Sequence, residues 1–293
     1  MHQDTIVDAM GFAISSASRP MRIVSLVPSE TEAVAQLGAG DRLVGRTDYC
    51  VHPANLLSNV PSVGGTKDAS IDAIVALRPD VVLCNQEENT PHIVESLRAR
   101  GITVHVSFPK SVDEAAALLD DLAVILHADA LGLAALCEMH VALSALRERR
   151  ASAVPTRVFC PIWMDPLMTI HGETFMSDAL DLAGAYNVFS DRPRRYPLAA
   201  DLGLRAPLDN ARVQGRDTRY PRVTHEELIA RAPQLIVLPD EPHPFSAQDA
   251  EVFTNLGIEN CAVLHVMGRD LCWYSLSMAS GISAISQVIR DHR

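Results

Sequence analysis

Ile71-Asp72-Ala73-Ile74-Val75-Ala76-Leu77-Arg78-Pro79-Asp80-Val81-Val82-Leu83 matches His225-Glu226-Glu227-Leu228-Ile229-Ala230-Arg231-Ala232-Pro233-Gln234-Leu235-Ile236-Val237 without a gap. Each stretch reads as a short helix, a proline and a continuously apolar strand. Ser70 and Thr224 share the capping place, where a hydroxyl can accept from a free helical N–H. Asp72 and Glu226 share the second helical position. Thr31 to Ala39 lines up in the same way with Ser177 to Ala185. Helix–proline–strand units recur in α/β proteins, but two pairs in one order read as a duplication.

Working outward, Arg22 to Val27 is the first expected strand. Ser29-Glu30-Thr31-Glu32 reads as a capping box opening a helix through Leu37, closed at Gly38. Leu43-Val44-Gly45, Val81 to Cys84 and Ile102 to Val106 are further strands, with a helix from Pro91 to Arg100. Helices alternating with apolar strands argue a parallel sheet covered on both faces. Ser111-Val112-Asp113-Glu114, a second capping box, begins a helical stretch to Arg150 that breaks at His127-Ala128-Asp129. The second part, about 21 residues, would span roughly 30 Å. A new strand starts at Arg157. The expected fold class is α/β: two similar Rossmann-like lobes, a long rigid connecting helix and a ligand cleft between the lobes. The boundaries are a tail at 1–21, an N-terminal lobe at 22–110, connecting helices at 111–155 and a C-terminal lobe at 156–293.

Composition narrows the function. The chain has 293 residues and a net charge of −11, which argues against a nucleic-acid partner. No run of 18 uninterrupted apolar residues occurs, so no membrane-spanning segment is expected. Residues 1–20 carry Asp4 and Asp8 and lack the basic start and unbroken apolar core of a secretory leader. They read as a disordered or surface-docked tail, and the chain as written is expected in the cytoplasm. Six cysteines show no C-x-x-C pair. Cys84, Cys137 and Cys160 sit in apolar stretches and read as buried free thiols.

Loops after the strands are rich in aromatics, acids and prolines, the expected lining of a ligand site in an open α/β sheet. In the first lobe they hold Tyr49, His52, Glu87 and Glu88. In the second they hold Trp163, Arg195, Tyr196, Asp240, Glu241 and His243, with Trp273 and Tyr274 later. Aromatic faces there suit a flat, polarisable ligand; the alternative is that Trp163 and Trp273 plug the core below. His52, Glu87, Glu88, Asp240, Glu241 and His243 are weak candidates for metal ligation, since no fixed ligand spacing joins them. His2, His92, His105, His127, His140 and His265 read as surface or core residues. No nucleophile elbow, phosphate loop or dinucleotide fingerprint occurs, and no intrinsic cofactor or catalytic residue is expected. Leu198 to Tyr220, with Arg205, Arg212, Arg216 and Arg219, has no counterpart in the first lobe. A lid and a neutral surface loop are both open readings of it.

Arg22 to Glu32, Leu43 to Tyr49 and Ile74 to Val82 resemble the helical-backbone (class III) substrate-binding proteins of ABC transporters. That family delivers cobalamin, iron–siderophore chelates and haem. The likeness runs from Arg22 onward and is most specific to the cobalamin-type branch. It implies a non-enzymatic receptor, expected as a monomer, for a corrinoid or iron chelate, working in the periplasm or at the cell surface. It also implies that Asp72 and Glu226 dock onto arginines of a membrane permease. Tyr49 falls where a cobalamin-binding member has a cleft tyrosine, Tyr220 where it has a cleft tryptophan, and Thr66 where it has another tryptophan. The rival reading is a cytoplasmic metal-binding protein, metallochaperone or chelatase-like enzyme on the same fold.

Overall fold

The Ser70 hydroxyl accepts from the Ala73 N–H at 3.3 Å, and the Thr224 hydroxyl from the Glu227 N–H at 3.2 Å. In the computed structural model, which describes residues 5–292, these matching caps open matching helices in two separate units. One unit holds the residues up to Pro109, with Asp113–Val141 and Tyr274–Leu276; the other holds Lys110–Val112, Ala142–Trp273 and the residues from Ser277.

The first unit begins with an antiparallel hairpin, β1 (Thr5–Val7) and β2 (Ala13–Ser15). After β3 (Ile23–Ser25) come α1 (Pro28–Gln36), β4 (Leu43–Arg46), α2 (Ala54–Leu57) and α3 (Ile71–Ala76). Then follow β5 (Val81–Asn85), α4 (Pro91–Ala99) and β6 (Val104–Ser107). The four strands from β3 to β6 form a parallel sheet in the order β4-β3-β5-β6. Val24, Val82 and Val104 pack with Ile74, Ile93 and Leu97 into its core, which is why these strands read as unbroken apolar runs.

One expectation fails in this unit, and one open alternative closes. Ser29 does not cap α1. Val27 holds the cap position without a side-chain bond, and Pro28, whose fixed φ and missing N–H suit a helix start, occupies the first turn. Ser29, Glu30 and Glu32 are buried instead. Of the two readings of the tail, the surface-docked one fits residues 5–15, which form an ordered hairpin bonded to the first sheet through the Ala9 N–H and the Val106 carbonyl. The Asp8 carboxylate is buried, accepting from the N–H groups of Met10 and Phe12 at 2.9 Å each, from Val106 at 3.2 Å, and from the Arg98 guanidinium. The acid that breaks the apolar pattern is the hairpin's anchor. His2, with the other first four residues, lies outside the described residues.

α5 (Val112–Ile125) and α6 (Ala130–Ala151) follow, separated at His127, whose φ is 50°. Gly132 at the start of α6 lies against the Leu37 backbone, where a Cβ would come within 2.6 Å of the Leu37 carbonyl carbon. The α6 helix passes from the first unit into the second at Val141/Ala142. By length and composition alone it could cross a membrane. Leu136, Met139, Leu143 and Leu146 on it are nevertheless buried against protein. Cys137 is exposed, contrary to its apolar sequence context, because it lies off this buried stripe; none of the six cysteines forms a disulfide.

The second unit repeats the sheet. β7 (Thr156–Phe159) is followed by a hairpin, β8 (Pro161–Met164) and β9 (Leu167–Thr169), then α7 (Phe175–Leu182) and β10 (Ala185–Asn187). Short helices α8 (Leu198–Asp201) and α9 (Asn210–Val213) precede α10 (His225–Arg231), β11 (Leu235–Pro239), α11 (Ala247–Thr254) and β12 (Ala262–Val266). α12 (Arg269–Cys272) and α13 (Met278–Asp291) end the chain. The parallel sheet runs β10-β7-β11-β12, so each sheet places its second strand outside its first and its third and fourth on the other side. The likeness reaches single residues. Arg78 and Ala232, each before the proline that separates helix from strand, share left-handed backbone at φ 46° and 43°. Arg22 Nε donates to the Leu77 carbonyl, and Arg157 Nη2 donates to the carbonyl of Arg231, the position equivalent to Leu77.

Candidate functional site

Every residue expected at the site lies in or beside a segment that follows the carboxyl end of a parallel strand, which the crossover topology imposes. In the first unit Tyr49 follows β4 and is 64% exposed, and His52 is half-buried three residues on. Glu87 and Glu88 follow β5 in a loop built by two asparagines. Asn85 Oδ1 accepts from the Glu87 N–H at 2.7 Å and the Glu88 N–H at 3.3 Å. Asn89 Oδ1 accepts from the Asn85 N–H at 2.8 Å, while Asn89 Nδ2 donates to the carbonyls of Thr66 and Leu26 at 2.9 and 3.3 Å. Lys67 Nζ donates to the Glu87 carbonyl. Burial raises the Glu88 carboxyl above its ordinary value, opposed by the Lys67 charge. Asn85, Asn89 and Lys67 thus shape this loop, a role that adjacent glutamates conceal in the sequence.

Tyr274 is the correction. Only 8% of it is exposed, and its hydroxyl accepts from Asn85 Nδ2 at 2.8 Å. Burial raises this phenol well above its ordinary pKa, with the Glu30 and Glu88 charges adding to the effect. It is a core residue of the first unit, not a ligand-facing ring. The next two residues are fastened as well: Ser275 Oγ donates to Glu32 at 2.8 Å, and the Leu276 N–H to Gln36 Oε1 at 2.9 Å.

In the second unit the Ile162 to Asp165 segment, expected as a loop, is the β8–β9 hairpin, so Trp163 stands on a strand with 45% of its surface exposed. The Trp163 indole donates to the Asp165 carbonyl at 3.1 Å and meets the His243 ring edge-on at 5.2 Å. His243 packs on Phe245 at 4.6 Å, and its Nε2 lies 3.8 Å from the Asp249 carboxylate. Trp163 and His243 therefore form one surface. Asp240 and Glu241 are held by a close backbone approach. Asp240 Oδ1 accepts from the Gly268 N–H at 2.6 Å, and a Cβ on Gly268 would collide with the Glu241 side chain. Trp273 is half-buried beneath the Arg269 guanidinium, 5.3 Å from its ring. Arg195 is exposed; Tyr196 and Tyr220 are half-buried, with the Arg194 and Arg219 guanidinium groups over their rings. Among the described residues no group of three His, Cys, Asp or Glu side chains is gathered to hold a metal ion, so the six weak metal candidates remain apart from any such cluster.

Asp72 and Glu226 occupy equivalent exposed positions in the first turns of α3 and α10. The Asp72 side chain is 95% exposed, with Arg100 at 3.8 Å. Backbone hydrogen bonding at the helix start, with help from Thr224, holds the Glu226 carboxyl below its ordinary value.

Comparison with known proteins agrees with this architecture. Residues 23–254 match the model of the family described as periplasmic binding protein. A vitamin B12-binding protein of Yersinia pestis (strain Pestoides F) is 31% identical over 219 residues, covering 74% of this chain and 69% of that one. Solved structures share the fold. The periplasmic vitamin B12 binding protein BtuF of Vibrio cholerae superposes with a TM-score of 0.70 at 24% identity, covering 93% of this chain and 98% of that one. The periplasmic heme-binding protein BhuT, solved with two hemes, gives 0.70 at 20% identity, covering 94% and 99%. CeuE of Helicobacter pylori with Ni(II) bound gives 0.72 at 16% identity, covering 98% and 89%. With its duplicated α/β lobes and a helix running from one into the other, this chain belongs to the periplasmic binding protein family, in its helical-backbone branch of substrate-binding proteins.

Proposed function

We propose that this protein is a receptor for a corrinoid or an iron chelate, which it delivers unchanged to an ABC permease. The observation that carries the reading is the placement of large exposed rings after the carboxyl ends of parallel strands in both lobes, Tyr49 in one and Trp163 in the other. Rings left in water at such positions lose the stabilisation that burial would give them, and a flat ligand restores it. Glu87, Glu88, Asp240 and Arg195 are the proposed partners of a ligand's polar rim. His52, Tyr196, Tyr220, His243 and Trp273 complete the proposed contacts. The vitamin B12-binding relatives support a corrinoid, and the heme-binding neighbours of like fold support a second planar chelate. Asp72 and Glu226, one exposed acid per lobe at equivalent helix starts, are the proposed docking pair for permease arginines. Such a receptor works on the outer side of the membrane that its permease crosses.

The test is chromophore retention. The protein is incubated separately with cyanocobalamin, cobinamide, haem and a ferric catecholate, desalted, and examined by visible spectroscopy and metal analysis. One retained chromophore per chain is expected. No retained chromophore, with a stoichiometric first-row metal instead, would overturn the reading and favour a metal-handling protein.

A further inference from the structure

α12 and α13 pack on each other in the second unit. Gly281 of α13 lies against the Asp270 backbone, where a Cβ would come within 2.8 Å of the Asp270 Cα. Of the five residues between the two helices, Trp273 and Ser277 stay with that unit, while Tyr274–Leu276 belong to the first. Where α6 passes from unit to unit as continuous helix, this segment does so as irregular backbone. It is a short strap, pinned at both ends in one unit and fastened at its tip in the other.

Three bonds fasten the tip. The Tyr274 hydroxyl accepts from Asn85 Nδ2 at 2.8 Å, Ser275 Oγ donates to Glu32 Oε2 at 2.8 Å, and the Leu276 N–H donates to Gln36 Oε1 at 2.9 Å. Tyr274, Ser275, Glu32 and Asn85 are all buried, so water competes little for these bonds. The Asn85 amide is fully used. Its oxygen accepts from the N–H groups of Glu87 and Glu88, and its two Nδ2 hydrogens go to Tyr274 and to Ser107 Oγ. Turning the amide would set its nitrogen against two donors and its oxygen against two oxygens. One rigid plane therefore holds the strap on one side and the Glu87–Glu88 loop on the other, and movement of either acts on both.

We propose that Tyr274–Leu276 is a strap that reports occupancy of the Glu87–Glu88 loop, with Asn85 as the positioning residue between them. A ligand bearing on the loop steadies Asn85, Asn85 holds the strap through Tyr274, and the strap is continuous with the second unit's chain at Trp273 and Ser277. The bonded arrangement already predominates in the resting structure. The ligand thus acts on the rare openings of the strap, and cutting the strap changes those openings far more than it changes affinity. The proposal rests on the reading of the chain as a chelate receptor and adds to it a route by which the bound state is passed on.

The test is amide hydrogen exchange on the full chain, read at residue resolution by mass spectrometry. In ligand-free Tyr274→Phe the Glu87 and Glu88 N–H groups should exchange about 5-fold faster than in the wild type, the effect of one ordinary hydrogen bond. The Ala9 N–H, bonded to the Val106 carbonyl, should keep its rate. Unchanged exchange at Glu87 and Glu88 overturns the link through Asn85. If Ala9 accelerates as much as the loop, the variant opens as a whole, and Ser275→Ala, which cuts the strap at Glu32, is read in its place. Equal acceleration at Ala9 and the loop in that variant too overturns the link. In the second arm the retained chelate among cyanocobalamin, cobinamide, haem and ferric catecholate is added. It should slow exchange at the Leu276 N–H at least ~3-fold in the wild type and leave it unchanged in Tyr274→Phe. Slowing at Glu87 and Glu88 with Leu276 unmoved, or slowing at Leu276 that persists in the variant, overturns the strap as a reporter and leaves the receptor reading standing. Retention of none of the four overturns the receptor reading and the report of occupancy together, while the ligand-free arm still decides whether loop and strap open as one.

Discussion

Asn85 donates through Nδ2 to the hydroxyl of Tyr274 at 2.8 Å, across 189 positions of chain. The same nitrogen donates to Ser107 Oγ at 3.0 Å, and Ser107 in turn donates to the buried Glu30 carboxyl. One amide thus shapes the Glu87–Glu88 loop through its oxygen and holds the 274–276 segment through its nitrogen. Tyr274→Phe removes the acceptor and should cost ~1–2 kcal/mol of stability in urea denaturation. Chelate affinity should change less than ~3-fold, since under ~0.7 kcal/mol is at stake for a ring that does not touch the ligand. A loss of binding with unchanged stability would return Tyr274 to the ligand face.

Glu30 is fully buried, and desolvation pushes its carboxyl up to about 8, partly offset by the Ser107 hydrogen bond. Its Oε2 has no partner. Because the folded pKa lies above the unfolded value of 4.5, the native state holds a proton that the unfolded chain releases. This group therefore lowers stability as pH rises from about 4.5 to about 8, by up to ~5 kcal/mol. His105 acts in the opposite sense. Burial drops it from 6.5 to about 4, so its contribution is lost as pH falls through that window. In Glu30→Gln, denaturation midpoints should rise most at pH 8 and change least near pH 4. A uniform shift across that range would contradict the titration.

Asp8→Ala should destabilise the protein by ~3–5 kcal/mol, because it strands the Arg98 guanidinium and the three N–H groups that the carboxylate accepts from. Arg98 also packs over Phe12, so the hairpin should detach as a unit, with faster hydrogen exchange at the Ala9 N–H that bonds to Val106. Unchanged exchange there would show that the hairpin is held by other contacts.

The duplicated sheet was legible because its signal is local. A capping hydroxyl, a helix turn, a proline and an apolar strand fall within fourteen residues, and Ser70 and Thr224 cap as their positions require. Tyr274 was grouped with Trp273 because nothing nearby in sequence announces its burial or its bond from Asn85, 189 positions away. Ser29 had the capping pattern, yet Pro28 took the first turn and turned the acids of that pattern inward. Asp8 looked like an interruption because an isolated acid reveals nothing of a partner ninety residues on. Trp163 and His243 were each singled out, but their contact depends on a hairpin that was read as loop. Local chemistry was readable; long-range pairing of polar groups was not.

For the docking pair, Asp72→Lys with Glu226→Lys should lower the denaturation midpoint only slightly, through the cation each puts at a helix start that favours an acid, and should leave chelate binding unchanged. Stimulation of a cognate permease in proteoliposomes should fall at least ~10-fold, corresponding to ~1.4 kcal/mol. Full stimulation by the doubly reversed protein would remove these acids from the interface.

Tryptophan emission tests chelate binding most directly, because Trp163 and Trp273 both lie in the second lobe's strand-end segments and are the only two tryptophans in the chain. A planar metal chelate seated on them should quench that emission saturably at one equivalent, with a Kd of about 1 µM or tighter, equivalent to roughly −8 kcal/mol. Trp163→Phe should remove the larger share of the quenched signal, since Trp163 is the more exposed ring. Linear, non-saturating quenching by cyanocobalamin, cobinamide, haem and ferric catecholate alike would contradict a chelate receptor.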